Sequence, residues 1–281
     1  MTVLIIGGSG FLGTELVRQA VSAGLSPAAT FHSRPGAHSG ATWHPLDLRD
    51  SLRLEEVLDT VAPAVVINAT SGGADWAVTA EGGIRLAQAA AERGIRLVHV
   101  SSDAVFSGTG RNGYDESCRP DPLSPYGAAK AAAETAVRLL CPDTAAVART
   151  SLIIGNGCSE HEQLVHALAA GTRQGALFTD DIRCPVHVED LAAALWEITQ
   201  SDAVGVFHLA GPDALSRHEL GELIARRDGL DPARLPSARR SDTGLPGGLD
   251  VRLDSRATQQ KLHTWLCGAR EFLSGNGPEL T

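Results

Sequence analysis

Lysine is almost missing from this chain: of 24 basic residues only Lys130 and Lys261 are lysine, and the rest are arginine. Tyrosine is as scarce, with Tyr114 and Tyr126 alone. Any patterned pairing of the two types is therefore informative. The 5 cysteines, Cys118, Cys141, Cys158, Cys184 and Cys267, are scattered and never form a Cys-x-x-Cys pair. Their number and spacing argue against a disulfide framework, give no zinc or other metal site, and fit buried thiols in a reducing, cytoplasmic setting. No apolar run approaches membrane-spanning length, so no membrane is expected as a partner. Residues 1–6 lack a basic n-region and lead directly into a glycine-rich turn, which reads as a core strand and not as a signal peptide. Positive charge is short overall. A net charge of -9 disfavours nucleic acid as a partner and means that an anionic substrate must find local positive charge.

What is present is strongly patterned. The 281 residues can bury a substantial core. Over the first two-thirds, short β-branched runs alternate with helical periodicity, the pattern of a parallel sheet covered by helices on both faces. Strands are predicted at 3–6, 27–31, 42–46, 64–69, 96–101 and 145–154. Leu12, Leu16, Val17 and Ala20 mark one face of a helix over 12–23 that stops at Gly24, where a left-handed cap is easiest. The same pattern covers 51–61, ending before Pro63, and 84–93, closed by Gly94. Past Gly155 the alternation loosens into helices at 160–170, 189–200 and 217–227 with short strands between them, including 206–210. The Pro-, Gly- and Arg-rich stretch 231–250 reads as a solvent-exposed connection, with a position bordering the substrate as the alternative. Residues 275–281 read as a frayed tail.

Strand, then Gly7-Gly8-Ser9-Gly10-Phe11-Leu12-Gly13, then helix is the context in which glycines at this spacing bind a dinucleotide. The turn must be tight, a pyrophosphate must approach the helix N-terminus, and Gly13 must let the helix pack on the sheet. An ordinary turn is the competing reading. The place of the turn, directly after the first strand, favours a cofactor contacted by Gly7, Gly10, Phe11, Leu12 and Gly13. The expected fold is α/β, a Rossmann-type doubly wound parallel sheet. Its dinucleotide-binding core spans 1–155, and 156–281 forms mainly a smaller substrate-binding lobe with strands and helices returning to the core. At the end of the second strand, Thr30-Phe31-His32-Ser33-Arg34 offers no carboxylate to a ribose 2'-hydroxyl but does offer a guanidinium. Arg34 thus favours NADP(H) over NAD(H), unless it is one more loop arginine. Asp47 and Leu48 follow the third strand, where a carboxylate can accept from adenine, although Asp47 could equally cap a helix. Asn68, Ala69 and Thr70 close the fourth strand at the same edge and complete the cofactor contacts.

Tyr126-Gly127-Ala128-Ala129-Lys130 opens a helix, and the i, i+4 spacing places both functional side chains on one face. A free phenol is a poor acid-base group at neutral pH; an ammonium one turn away favours the phenolate, and lysine can also reach cofactor ribose hydroxyls. In a chain this poor in both types, the accidental spacing has odds on the order of one in a hundred. The predicted strand over 96–101 leads into Ser101 and Ser102, at the edge where doubly wound sheets place their ligands. Either serine could simply end a strand; the functional reading, a hydroxyl donating to a substrate carbonyl, fits Ser102 better.

Together these residues resemble the extended short-chain dehydrogenase/reductase superfamily, and within it the dTDP-4-dehydrorhamnose reductase-like, sugar-nucleotide-binding branch. The likeness runs through the glycine turn, Asp47-Leu48, Asn68-Ala69, Val100-Ser-Ser-Asp-Ala-Val-Phe106, Ser124-Pro-Tyr-Gly-Ala-Ala-Lys130, Arg149-Thr150 and Cys184-Pro-Val-His-Val-Glu-Asp-Leu191. It implies an NAD(P)H-dependent reduction of a ketone, with Ser102 as the hydroxyl partner, Tyr126 as proton donor and Lys130 as its electrostatic partner. Family dehydratases follow the hydroxyl residue with an Asp-Glu pair, whereas Asp103 is followed here by Ala104. This argues against dehydration and leaves Asp103 as a substrate contact. The implied substrate is a small molecule, a 4-keto-6-deoxy sugar nucleotide, and the implied assembly a homodimer. The chain departs from the branch at 68–76, which is short and glycine-rich, and at Arg252-Leu253, where the family has Arg-Pro. Counter-charges for an anionic substrate are sought at Arg149, Arg183, His187, Arg217 and Arg252, with Arg183 and His187, flanking Pro185, preferred. A nucleotide-sugar epimerase and a non-catalytic dinucleotide-binding regulatory subunit stand as alternatives.

Two features are set aside. His161 and His166 are five apart and fall on different faces of what reads as a surface helix, so they do not make a helical zinc site. Trp76, Trp196 and Trp265 read as core or lobe packing.

Overall fold

The computed structural model describes residues 1–109 and 112–274. Its first half alternates β1 (Val3–Ile6), α1 (Phe11–Ser22), β2 (Ala28–Phe31), β3 (Thr42–Pro45), α2 (Ser51–Val61), β4 (Val65–Asn68), α3 (Gly82–Arg93), β5 (Arg96–Ser102), α4 (Pro125–Leu140) and β6 (Ala145–Thr150). The second continues through β7 (Ile153–Ile154), α5 (Glu160–Ala169), β8 (Leu177–Phe178), β9 (Ile182–Arg183), β10 (Val186–His187), α6 (Val188–Thr199), β11 (Gly205–Leu209), β12 (Leu215–Ser216), α7 (Arg217–Arg227) and β13 (Ser237–Ala238). Seven strands form one sheet in the order β11-β6-β5-β4-β1-β2-β3, every pair parallel. The order reverses between β1 and β4, and such a switch point opens a crevice at the carboxyl ends of the strands.

Alternation of side chains across a strand sorts β1 between two layers. Val3 and Ile5 pack with Leu16 of α1 and Leu195 of α6, whereas Leu4 and Ile6 pack with Leu58 of α2, Leu86 of α3 and Val137 of α4. Both faces are covered, so the strand is apolar throughout. Trp196 joins the layers of α6 and α1 by donating from Nε1 to the Leu16 carbonyl at 3.1 Å. Asp50 caps α2 through the Arg53 amide at 3.0 Å, and the left-handed Gly94 (φ 63) closes α3. A single π-helical turn, Ala77–Glu81, precedes α3 and extends it toward β4.

The sheet departs from expectation at its far edge. The strand predicted over 145–154 leaves the sheet after Thr150, because the Ser151 hydroxyl donates to Asp103 Oδ2 at 2.6 Å and accepts the Cys184 amide at 3.2 Å. The chain resumes as β7, paired with β10. Beyond it, α6 and β11 return to the main layers, β11 pairing with β6. A separate apolar cluster, including Val165, Leu168, Leu220 and Ile224, holds α5 against α7. The stretch 231–250 is not merely an exposed connection: β13 pairs with β8, and the carbonyls of Gly248 and Leu249 accept from Arg183.

The helix over 160–170 is half-buried by that packing, with Glu162 fully enclosed. His161 meets Arg217 and His166 meets Asp228, so the two histidines diverge. Of Trp76, Trp196 and Trp265 only Trp196 is core; Trp76 (48% exposed) and Trp265 (60%) face solvent, against the expectation from sequence. Among the described residues no helix is long and apolar enough to cross a membrane and no cluster could hold a metal ion. Residues 275–281 lie outside the described residues.

Candidate functional site

The turn after β1 is packed to its backbone. Gly7 adopts φ +80, and a Cβ there would stand 3.0 Å from Thr70 Oγ1; a Cβ on Gly13 would stand 2.1 Å from the Gly7 carbonyl oxygen. Only glycine fits either position. The amide of Gly7 donates to Thr30 Oγ1 at 3.0 Å, tying the turn to β2. Leu12 is buried in the core while Phe11 stays partly exposed. At the neighbouring end of β4, Asn68 Oδ1 accepts the Thr70 amide at 3.1 Å and the Ala69 amide donates to Ile6. The Thr70 hydroxyl beside the turn is buried with no hydrogen-bond partner among the described residues. A close-approach glycine cradle with an orphaned hydroxyl on its rim fits a dinucleotide at the switch point.

Around it, Arg34 is exposed just past β2 and makes no hydrogen bond or ion pair with any described residue. Asp47 is engaged: Arg49 donates to both its oxygens and His32 lies 3.4 Å away, and chiefly the Arg49 hydrogen bonds hold its carboxyl down at about 2. The α2 cap is Asp50, not Asp47. Leu48 is buried in the adjoining core.

Ser124 caps α4 by accepting the Gly127 amide at 3.1 Å, and Pro125 occupies the first turn. Gly127 lets the helix start press against the loop after β5, since a Cβ there would lie 2.0 Å from the Ala104 carbonyl oxygen. That contact brings Tyr126 to Ser102. The phenol is pushed above its ordinary value chiefly by burial; the Ser102 and Ser71 hydroxyls pull it down, and the Asp103 charge raises it further. Lys130 is buried, and Nζ donates to the carbonyls of Val100 (3.0 Å) and Thr70 (3.2 Å). Burial brings the ammonium down to about 8. The expected phenolate-stabilising effect of Lys130 is therefore not what the geometry displays, because desolvation dominates at the phenol and the ammonium is turned to two backbone carbonyls. Ser71 was not singled out by the sequence, where it lay inside a glycine-rich loop. Ser101 is buried without a partner among the described residues, and it is Ser102 that faces the tyrosine.

The predicted substrate residues divide. Asp103 is beside the site: Oδ1 accepts from Ser102 Oγ at 3.2 Å, and Arg183 Nε lies 3.5 Å from Oδ2. Arg183 reaches the site only through Asp103. Its remaining donors go to the carbonyls of Ile182, Leu249 and Gly248, and it pairs with the Asp181 carboxylate at 2.7 Å, so it is a buried tie and not a free counter-charge. His187 caps α6 and packs on Phe272. Arg252 is exposed and paired with Asp250. Arg149 is fully buried against Glu134. Arg217 and Arg240, both leaning on Asp181, line a largely apolar cavity of about 360 Å³ with Leu177, Phe178, Leu220 and Leu245.

A seven-stranded parallel sheet with a glycine cradle at its switch point, and Ser102, Tyr126 and Lys130 gathered at the same edge, defines the extended short-chain dehydrogenase/reductase class. Within that class, residues 1–268 match the family model described as the RmlD substrate binding domain, and the chain belongs to that family. It is 31% identical over 242 residues to the dTDP-4-keto-6-deoxy-D-glucose reductase of Streptomyces niveus, covering 83% of this chain and 80% of that one. Among solved structures it is similar to a hypothetical dTDP-4-dehydrorhamnose reductase from Sulfolobus tokodaii, at 28% identity and a TM-score of 0.80, covering 94% and 96% of the two chains. It also shares its fold with a dTDP-4-dehydrorhamnose reductase from Bacillus anthracis solved in complex with NADP, at 20% identity, a TM-score of 0.79 and 98% coverage of each.

Proposed function

We propose that the chain is an NAD(P)H-dependent reductase of a ketone on a 4-keto-6-deoxy sugar nucleotide. The observation that carries this reading is the convergence of Ser102, Tyr126 and Lys130 beside the glycine cradle, with Ala104 where a dehydratase would carry a glutamate. The names of the relatives in the same family point the same way. Gly7, Gly10 and Gly13 would hold the pyrophosphate, Phe11 and Leu12 would complete the turn, and Asp47, Leu48, Asn68, Ala69 and Thr70 would line the adenosine and nicotinamide path. Bound there, the reduced dinucleotide supplies two electrons and a hydrogen to the ketone carbon.

The protein's own residues deliver the proton and the place for it. Burial keeps the Tyr126 phenol neutral at physiological pH, so it can give its proton to the ketone oxygen as negative charge builds there. Lys130, fixed by Val100 and Thr70, sets a positive charge at the end of β4 and β5 and serves the ribose hydroxyls. On this reading the apolar cavity with Arg217 and Arg240 would take the nucleotide end of the substrate, with the cofactor mainly on 1–155 and the substrate mainly on 156–281. NADP(H) is favoured over NAD(H) by the unengaged Arg34 guanidinium beyond β2. The five scattered cysteines, with no Cys-x-x-Cys pair, support work in the cytoplasm.

The test is direct. Purified protein given NADPH and a dTDP-4-keto-6-deoxy sugar oxidises the cofactor stoichiometrically, and Tyr126→Phe lowers kcat by about a hundredfold or more while NADPH affinity persists. Undiminished turnover in that variant would overturn the assignment, and cofactor that co-purifies without net consumption would favour epimerisation.

A further inference from the structure

A glycine whose backbone lies outside the left-handed region can be replaced by alanine at the cost of its Cβ alone. Gly155 is such a residue. It is buried just after β7, and a Cβ on it would stand 2.7 Å from Phe11 Cζ, 3.3 Å from Phe11 Cε2 and 3.5 Å from Val188 Cγ1. Phe11 opens α1 within the glycine turn, so its ring spans from the cofactor turn to the entrance of the substrate lobe. Gly155 is held from both sides. Its amide donates to Glu162 Oε2 at 3.1 Å, its carbonyl accepts from Arg227 Nη1 at 2.7 Å, and those two side chains pair with each other at 2.7 Å. Phe11 is 37% exposed, so a steric conflict at this contact is relieved by the ring and not by the backbone it touches.

We propose that Gly155 is a positioning residue for the cofactor: by lacking a Cβ it lets the Phe11 ring stand against the substrate lobe, where the ring walls the crevice beside the nicotinamide half of the dinucleotide. Topology assigns the half. On one side of the switch point β2 and β3 lead to Asp47 and Leu48, the adenosine end; on the other, β5 and β6 carry Ser102 and lead through β7 to Gly155. A ring braced on Gly155 therefore borders the side on which hydride transfer takes place. An aromatic side chain there offers apolar surface to the cofactor and keeps water from the phosphates at the helix N-terminus. The division of labour is then plain. Gly7 and Gly13 clear the backbone for close approach, and Gly155, 142 positions beyond Gly13, clears the place of the one bulky side chain in the turn that reaches across to the lobe.

The inference rests on the reading of the turn as a dinucleotide site, and binding, not turnover, decides it. Dissociation constants for NADPH, NADH and AMP, which carries the adenosine side alone, are measured by calorimetry on the full chain and on its Gly155→Ala, Phe11→Ala and doubly substituted forms. Gly155→Ala weakens the preferred dinucleotide by about fivefold or more, as displacement of an aromatic contact requires, and changes AMP by less than about twofold. Phe11→Ala gives a loss of the same order. Because Gly155 acts on the cofactor only through Phe11, the double variant binds no more weakly than Phe11→Ala alone, whereas a general loosening of the lobe would add to that loss. Unchanged dinucleotide affinity in either single variant overturns the proposal, as do equal losses of dinucleotide and AMP, or additive losses in the double variant. A parent protein that binds neither NADPH nor NADH sinks the reductase reading and this inference together. One that binds either of them but reduces no keto sugar sinks the reductase reading only, and the affinities still decide the role of Gly155.

Discussion

The phenol of Tyr126 and the guanidinium of Arg34 illustrate what single residues can disclose. Tyr126, Lys130 and Ser102 were legible in the sequence because their types are scarce or sit at a strand end, and the fold brings the three together. Ser71 and Ser151 were not legible. Ser151 matters through Asp103, 48 positions away, and no local pattern records such a contact. Arg183 shows the converse: the sequence presents an arginine beside a proline as an available charge, but cannot count the acceptors that the fold sets around it. Arg34 has no such acceptors, and a 2'-phosphate is the natural partner for an unengaged guanidinium. Arg34→Ala should therefore lower kcat/KM for NADPH by about tenfold or more while leaving NADH nearly unchanged. Equal losses with both cofactors would assign Arg34 to some other purpose.

At the scale of elements, helices were the best predicted. Helices α2 and α7 begin and end where the sequence placed them, and the others shift by a residue or two, because caps and apolar faces are local signals. The strand expected over 145–154 breaks at Ser151 since a tertiary hydrogen bond outweighs its β-branched composition. A second tertiary device lies at the start of α5. Glu162 completes a capping box with Ser159, accepts the amides of Gly155 (3.1 Å) and Gly157 (2.8 Å), and pairs with Arg227 at 2.7 Å, all without solvent exposure. Removing one partner of a buried pair strands the other, so Glu162→Ala should cost about 3 kcal/mol in urea unfolding. A loss below about 1 kcal/mol would show that the loop relaxes and water replaces the carboxylate.

Across the whole molecule, burial of neutral imidazoles sets the response to acid. Burial holds His99 and His161 down to about 3, and His208 to about 4, against an ordinary value of 6.5. The unfolded chain takes up these protons as the pH falls through 6.5, whereas the folded chain does not until near 3 to 4. Their contribution to stability is thus complete above 6.5 and is lost progressively below it, by about 1.4 kcal/mol per pH unit for each histidine. Urea midpoints should therefore drop between about pH 7 and about pH 5, before the carboxylates held at about 2, such as Asp47 and Glu197, begin to titrate in the fold. A flat profile across that interval would mean that the histidines are hydrated in the native state.

The burial of Lys130 has a further consequence that follows from the near absence of its type. The protein carries two side-chain amines: one is enclosed beneath the cofactor cradle and the other, Lys261, is exposed over the Phe207 ring. Acylating dyes and activated surfaces meet Lys261 before Lys130, which makes it the one readily acylated lysine. A form of the protein labelled at lysine thus carries that tag at one defined side chain and leaves the enclosed Lys130 amine untouched.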